Sequence, residues 1–393
     1  MLELNKIYNM DCLDGMKLLD DNSMDSIVTD PPYELGFMGK KWDSTGIAYN
    51  VDVWRECLRV LKPGGHLLAF GGTRTYHRMA CAIEDAGFEI RDQIQWLYGS
   101  GFPKSHDISK AIDKKLGVER EIINSYTRKG RSGGIMGEKV EIERNITAPA
   151  TPEAQEWDGW GTALKPANEP IVLARKPISE KTIAENVMKW GTGGLNIDGC
   201  RIEMSPEDFE AYVRKEKSFY KARQGKNIYG GNSLFESKTK HANRIETKGR
   251  FPANVILDEE AAALLDEQSG ISKPRKGRTG KRGGTAWHGQ KGLGSPDKIG
   301  RWPSDSGGGA SRFFYCAKAS KKERGEGNNH PTVKPVKLME YLITLITPPN
   351  GIVLDPFFGS GTTGVAAVKL GFNYIGFELD KTYYNIAINR INA

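Results

Sequence analysis

The stretch Gly351-Ile-Val-Leu-Asp355-Pro356-Phe-Phe-Gly359-Ser-Gly361-Thr-Thr-Gly364 decides the fold. A short apolar run enters a glycine-rich turn, and Val365-Ala-Ala-Val-Lys-Leu370 after it reads as a helix. Gly359, Gly361 and Gly364 satisfy GxGxxG between that strand and that helix. Such a turn lets the backbone approach a ligand closely and aims helix N-terminal N–H groups at it. Tyr374-Ile-Gly-Phe-Glu378 is a further strand, with its acid 19 residues after Gly359. A carboxylate there can accept hydrogen bonds from both hydroxyls of a ribose. These features predict a nucleoside cofactor and fit NAD and S-adenosylmethionine alike. Only 15 residues follow Glu378, so the rest of the sheet is expected from upstream chain.

The upstream half supplies it. Asp25-Ser-Ile-Val-Thr29 reads as a strand, Val51–Leu61 as an amphipathic helix, and Lys62-Pro-Gly-Gly65 as the turn that ends it. His66-Leu-Leu-Ala-Phe70 is a buried strand, Tyr76–Ala86 a helix and Phe88–Tyr98 a strand. This βαβ rhythm predicts a mostly parallel sheet covered by helices. After Gly101 it fades; residues 126–162 read as loop, and Pro170-Ile-Val-Leu-Ala-Arg175 as an isolated strand. The rhythm returns with a helix over Val336–Ile346.

Between the two halves lies a segment rich in Gly, Lys, Arg, Ser and Asn. The chain of 393 residues carries a net charge of +7, but residues 201–326 alone carry 26 basic and 16 acidic side chains. The remainder is slightly acidic. Lys273–Arg282 packs in six basic residues: Lys273, Arg275, Lys276, Arg278, Lys281 and Arg282. A nearly neutral body with one basic segment implies a polyanionic partner for that segment. The expected organisation is one α/β core split between residues 1–100 and 312–393. A connecting segment (101–194) and a basic region (195–311) interrupt it.

Asp30-Pro31-Pro32-Tyr33 follows the first strong strand. Two prolines stiffen the backbone and remove two donors, which leaves free carbonyls beside an acid and an aromatic ring. That set suits an aromatic exocyclic amine, a poor nucleophile because its lone pair is delocalised. A carboxylate and a carbonyl accepting its two hydrogens favour a pyramidal nitrogen, while a tyrosine face stacks on the base. Attack on a sulfonium methyl then needs positioning and electrostatics rather than a covalent enzyme intermediate.

With both motifs in place, the chain resembles the amino-directed (N6-adenine or N4-cytosine) DNA methyltransferases of the β arrangement. In these the Asp-Pro-Pro-Tyr motif precedes the target-recognition region and the cofactor loop is C-terminal. The resemblance implies a Rossmann-like, S-adenosylmethionine-dependent α/β fold with helices on both faces of a mostly parallel sheet. It also implies a circularly permuted motif order and an inserted basic recognition region. Asp30, Pro31, Pro32 and Tyr33 are then the catalytic motif. Asn9-Met-Asp11-Cys12 resembles the segment whose acid bonds the cofactor adenine, which assigns Asp11; Met10 stands where the family usually has Gly. His330-Pro-Thr-Val-Lys334-Pro resembles the segment at the methionine end, with Lys334 facing its carboxylate. Asp355, Phe357, Gly359, Ser360, Gly361 and Thr362 form the cofactor loop, and Glu378 holds the ribose. Leu61–Gly65 and Lys165-Pro-Ala-Asn-Glu-Pro170 resemble structural motifs of the core.

The implied reaction is methyl transfer from S-adenosyl-L-methionine to adenine N6 in duplex DNA, because Asp at position 30 follows the adenine habit of the family. The alternatives are cytosine N4, an RNA methyltransferase and an inactive DNA-binding protein. An amine inside a duplex is out of reach of such a pocket, so the base must flip out. Lys40 and Lys41, after the motif, are candidates for closing over the flipped base, and the six basic residues of 273–282 for holding phosphates. A homodimer and a cognate restriction endonuclease are partners the resemblance permits.

Composition excludes other classes. Hydrophobic residues make up 38% of the chain, and no apolar run approaches the ~18 residues that a membrane span needs. The N-terminus lacks the basic-then-apolar pattern of an export signal, so a cytoplasmic protein is expected. Five cysteines without a CxxC pair argue against a disulfide scaffold or a zinc site, and no metal is expected. Cytosine-C5 chemistry needs a nucleophilic Cys, which that family places after Pro. Here Asp11, Glu56, Ala80, Gly199 and Tyr315 precede the cysteines.

Overall fold

A computed structural model describes residues 2–36, 41–99, 101, 105–131, 139–206, 208–209, 249–273, 278–281, 299–302, 307–317 and 333–393. The chain divides into two compact units, Met1–Gly99 with Asn168–Ala393, and Ser100–Ala167.

The larger unit is built on a nine-stranded sheet. In chain order its strands are β1 (Lys6–Tyr8), β2 (Met24–Thr29), β3 (Leu61–Phe70), β4 (Glu89–Leu97), β7 (Asn168–Arg175), β8 (Val255–Asp258), β11 (Tyr315–Ala317), β12 (Ile352–Asp355) and β13 (Asn373–Phe377). Across the sheet the order is β1-β13-β12-β2-β3-β7-β4-β8-β11. Every pairing is parallel except those of β7, which runs antiparallel to both β3 and β4. β2 therefore lies beside β12, so the strand before Asp30 and the strand before the glycine loop are neighbours.

Successive side chains along the central strands feed two separate cores, as the two-residue period of a strand requires. Val28, Leu68, Phe70, Ile171 and Val353 point into one. Ile27, Leu67, Ala69, Val172 and Leu354 point into the other. Helices α1 (Cys12–Lys17), α2 (Val51–Val60) and α3 (Tyr76–Asp85) cover the second core through Met16, Trp54 and Ile83. Helices α8 (Val336–Ile346), α9 (Thr362–Leu370) and α10 (Lys381–Ile391) cover the first through Leu342, Ala366 and Ala387. The larger unit also holds α6 (Ile183–Trp190), α7 (Glu259–Ser269) and the short antiparallel pair β9 (Arg278–Lys281) and β10 (Ile299–Trp302). The mostly parallel, two-sided α/β sheet is the one the sequence predicts.

Three local expectations change. Lys62-Pro-Gly-Gly65 does not separate helix from strand, because α2 runs directly into β3. The turn chemistry is spent inside the strand instead. Pairing with β2 skips from Leu61 to His66, and Gly64 takes φ 80°, a bulge only glycine tolerates well. Second, Val255–Asp258 lies inside the segment read as a recognition region, yet it pairs with β4 in the core sheet. Third, residues 126–162 are not all loop. In the smaller unit β5 (Ile122–Arg131) and β6 (Lys139–Thr147) form an antiparallel hairpin. It is accompanied by α4 (Ile108–Leu116) and α5 (Pro152–Glu156). Glycines at 130, 133, 134 and 137 interrupt the pattern there and mask the strand alternation of Val140-Glu-Ile-Glu143. A buried Asp113 organises this unit by accepting from Arg120 at 3.0 Å, from the Thr151 hydroxyl at 2.7 Å and from Ala150 N at 3.0 Å.

Candidate active site

β2, β12 and β13 all end at the same edge, where a parallel α/β sheet opens its ligand crevice. A cavity of about 530 Å³ lies there, lined among others by Asp30, Tyr33, Lys334, Phe357, Gly359 and Glu378. That volume suits a nucleoside-sized ligand.

On the β2 side, Asp30 leaves the strand and meets Lys334. The Lys334 ammonium donates to Asp30 Oδ2 at 2.6 Å. Asp30 Oδ1 is buried and has no hydrogen-bond partner. A buried carboxylate oxygen left bare is costly unless something else is meant to bond it. Tyr33 packs beside them, its hydroxyl donating to Glu169 Oε2 at 2.7 Å and its carbonyl accepting from Thr75 Oγ1 at 2.7 Å. The side chain is thus tied at its hydroxyl and the backbone at its carbonyl. Burial, reinforced by Asp30 and Glu169, raises the Tyr33 phenol well above its ordinary range, so it stays a donor. Lys334 also reaches Glu169 at 3.3 Å and lies over the Tyr33 and Phe70 rings, 5.2 and 4.9 Å from their centroids. Burial works against its charge, but Asp30 and Glu169 outweigh it, and its pKa is raised.

On the β12 side, both oxygens of Asp355 are engaged. Its Oδ1 accepts from Thr29 Oγ1 at 2.6 Å and Phe357 N at 3.0 Å, and its Oδ2 from Thr363 Oγ1 at 2.6 Å. Burial raises its pKa to about 6. Gly359 and Gly361 have φ of 54° and 84°, which bends the loop into the N-terminus of α9. Glu378 crosses beneath the loop. Its Oε2 accepts from Gly359 N and its Oε1 from Asp380 N, both at 2.7 Å, while burial raises its pKa to about 7. The Ser360 and Thr362 hydroxyls accept from Arg390 at 3.1 and 3.2 Å. Asp11 caps α1, accepting from Leu13 N at 2.8 Å, and lines the same cavity.

The structure therefore brings Asp11, Asp30–Tyr33, Lys334, Asp355, Phe357, Gly359, Ser360, Thr362 and Glu378 to one cavity; Gly361 is not among its lining residues. Lys334 is paired with two carboxylates. Of the basic candidates, Lys40, Arg275, Lys276 and Arg282 lie outside the described residues. Lys41, Arg278 and Lys281 are described by backbone alone, and Lys273 is exposed. Two acids of the site escape a reading of the sequence. Glu169, assigned to a structural motif, lies at the start of β7 and enters the cavity wall. Its signal is an acid before Pro170 at a strand end. Asp43 is 2% exposed and accepts from Glu34 N at 2.9 Å and Leu35 N at 3.2 Å, pinning the chain just after Tyr33.

The donor set fits S-adenosylmethionine: a glycine turn at a helix start, a carboxylate beneath it, an aromatic ring at Phe357 and a second acid at Asp11. Among the described residues, no three His, Cys, Asp or Glu side chains converge to hold a metal ion, and no helix is long and apolar enough to cross a membrane.

A family model described as DNA methylase, of the N6/N4 methyltransferases, matches residues 24–389. The chain is 23% identical to the type II methyltransferase M.HindIII of Haemophilus influenzae, over 98% of this chain and 94% of that one. It is 45% identical to M2.DpnII of Streptococcus pneumoniae over 79 residues, 20% of this chain and 30% of the other. Among solved structures, M1.HpyAVI aligns over 99% of this chain and 98% of its own, at 17% identity and a TM-score of 0.41. The cytosine-N4-specific PvuII methyltransferase aligns over 98% and 85%, at 13% identity and a TM-score of 0.43.

Proposed function

The chain belongs to the N6/N4 DNA methylase family, and from that premise we propose that it methylates the exocyclic N6 amine of adenine in duplex DNA. The observation that carries this reading is the bare, buried Oδ1 of Asp30 at the wall of a nucleoside-sized cavity. An amine N–H supplies the bond that oxygen lacks. The Pro31 and Pro32 carbonyls are available for the second hydrogen, and the Tyr33 ring, tied to Glu169 at its hydroxyl and to Thr75 through the backbone carbonyl, offers a face to the base.

S-adenosyl-L-methionine, when bound, supplies an electrophilic sulfonium methyl. In our reading the glycine loop and Glu378 hold its nucleoside end, Asp11 its base, and Phe357 one side of it. With that group bound, Asp30 and a carbonyl of the motif would hold the two amine hydrogens so that the nitrogen lone pair faces the methyl, and the proton shed after transfer would pass to solvent. Asp30 accepts hydrogen bonds throughout, so the positive charge moves toward a fixed negative one. The base reaches this pocket by leaving the helix. Lys273, Arg275, Lys276, Arg278, Lys281 and Arg282, with Lys40 and Lys41 nearer the motif, supply phosphate contacts.

Sequencing with base-modification detection on DNA from cells expressing the protein tests the reading. N6-methyladenine at one defined sequence is expected. N4-methylcytosine would transfer the same chemistry to cytosine, and unmodified DNA would overturn both. Reversing the charges of 273–282 should weaken DNA binding and flatten its salt dependence; an unchanged slope would remove these residues from the interface.

A further inference from the structure

The acid at the start of β7 enters the reading above only through the Tyr33 hydroxyl, yet it touches two parts of the machinery at once. Glu169 Oε2 accepts from the Tyr33 hydroxyl at 2.7 Å and lies 3.3 Å from the Lys334 ammonium. Lys334 in turn holds Asp30 Oδ2 at 2.6 Å. All three charged side chains are mostly buried, with 7% exposure at Lys334, 19% at Glu169 and 21% at Asp30. Nζ is flanked by two aromatic rings. One ammonium is thus shared between two carboxylates in a place that water reaches poorly.

We propose that Glu169 is a positioning residue for methyl transfer: by drawing the Lys334 ammonium toward itself it keeps Asp30 Oδ1 open for the target amine, and by holding the Tyr33 hydroxyl it fixes the ring that orients the base. An ammonium has three donors and a carboxylate two acceptor oxygens. Without a second acid, Lys334 is free to bond both oxygens of Asp30 and to occupy the place of the amine. Glu169 takes one of those donors. It also sets the charge of the cluster. One cation between two anions leaves one net negative charge beside the nitrogen that becomes positive as the methyl arrives. An Asp30–Lys334 pair alone is neutral and stabilises that charge less. Glu169 is well suited to this, because it stands opposite Trp96 in the ladder with β4, which fixes its backbone. In this arrangement Lys334 serves Asp30, and not the methionine carboxylate as the family resemblance implies.

The inference rests on the proposed methyl transfer to DNA, and the test keeps the two apart. Glu169→Gln keeps the size of the side chain and an acceptor for Tyr33 but removes the charge. Single-turnover methylation of a duplex carrying the modified sequence should slow by about 10- to 100-fold. Calorimetric affinity for S-adenosylmethionine, affinity for the duplex and the melting temperature should stay within about twofold or a few degrees. Tyr33→Phe, which removes only the hydroxyl contact, should slow the reaction less than Glu169→Gln. Glu169→Asp should recover part of the lost rate, since it restores the charge. A Gln variant that turns over within about twofold of the wild type overturns the proposal. So does a loss that runs in step with cofactor affinity and melting temperature, which would mark Glu169 as structural. A wild-type protein that methylates no DNA would instead refute the function.

Discussion

Two corners of this protein share a dipeptide and do opposite things with it. Asp30-Pro31 and Asp355-Pro356 each end a parallel strand, β2 and β12, and those strands are neighbours. Both acids line the same cavity. Asp355 has both of its oxygens engaged, by Thr29, Phe357 and Thr363. Asp30 keeps one oxygen bare and the other on a lysine. The identity of a residue and its place at a strand end therefore do not distinguish these two acids; the partners of their oxygens do. Thr29 joins the corners directly, since it precedes Asp30 in sequence and bonds Asp355 in space.

The contrast is broken most directly at Asp30. Asp30→Ala should lower the single-turnover methylation rate by about 10³-fold while cofactor affinity, by calorimetry, stays nearly intact. Normal turnover would remove the distinction altogether. Asp355→Ala should act on stability instead. It strands two hydroxyls and a backbone N–H in the interior, and urea unfolding should show a loss of roughly 3 kcal/mol. An effect of similar size comes from charge. The Asp355 pKa is raised to about 6, so between about pH 4 and 6 the folded chain keeps a proton that the unfolded chain has released. Its contribution is favourable below that window and is lost as pH rises through it. Glu378, raised to about 7, has the same sign. The difference between the wild type and Asp355→Asn isolates the first: the variant should gain on the wild type by up to about 3 kcal/mol from pH 4 to pH 7. A constant difference would show that Asp355 titrates normally. Smallest of all, Thr29→Val removes the tie between the corners and should cost about 1 kcal/mol and a few-fold in rate. A rate loss as large as that of Asp30→Ala would mean that the two corners act as one.

The same contrast separates what is legible in the amino-acid sequence from what is not. Strand, turn and helix around Gly359 are local, as is the helix over Val336–Ile346, and both stand where their patterns put them. The Asp-Pro-Pro-Tyr turn is equally local. What stays hidden in the sequence are facts about partners. Lys334 lies 304 residues from Asp30, and Glu169 lies 136 from Tyr33, so no spacing rule connects them. Asp355 reads as a ligand because its loop is a ligand loop; in the fold its carboxylate also holds three donors, one of them on a strand 326 residues away. The hairpin at 122–147 is hidden by its glycines, and the pairing of Val255–Asp258 by the basic chain around it.

The 304-residue gap between Asp30 and Lys334 also matters while the protein is being made. At about 5–20 residues per second, the ribosome delivers Asp30 roughly 15–60 s before its counter-charge. Over the same interval β2 has β3 on one side and waits for β12 on the other, an open strand edge of the kind that recruits wrong partners. A nascent chain interrupted in that interval holds the Asp30 turn without its Lys334 counter-charge and without the glycine loop. The edge of β2 is where a chaperone would find it.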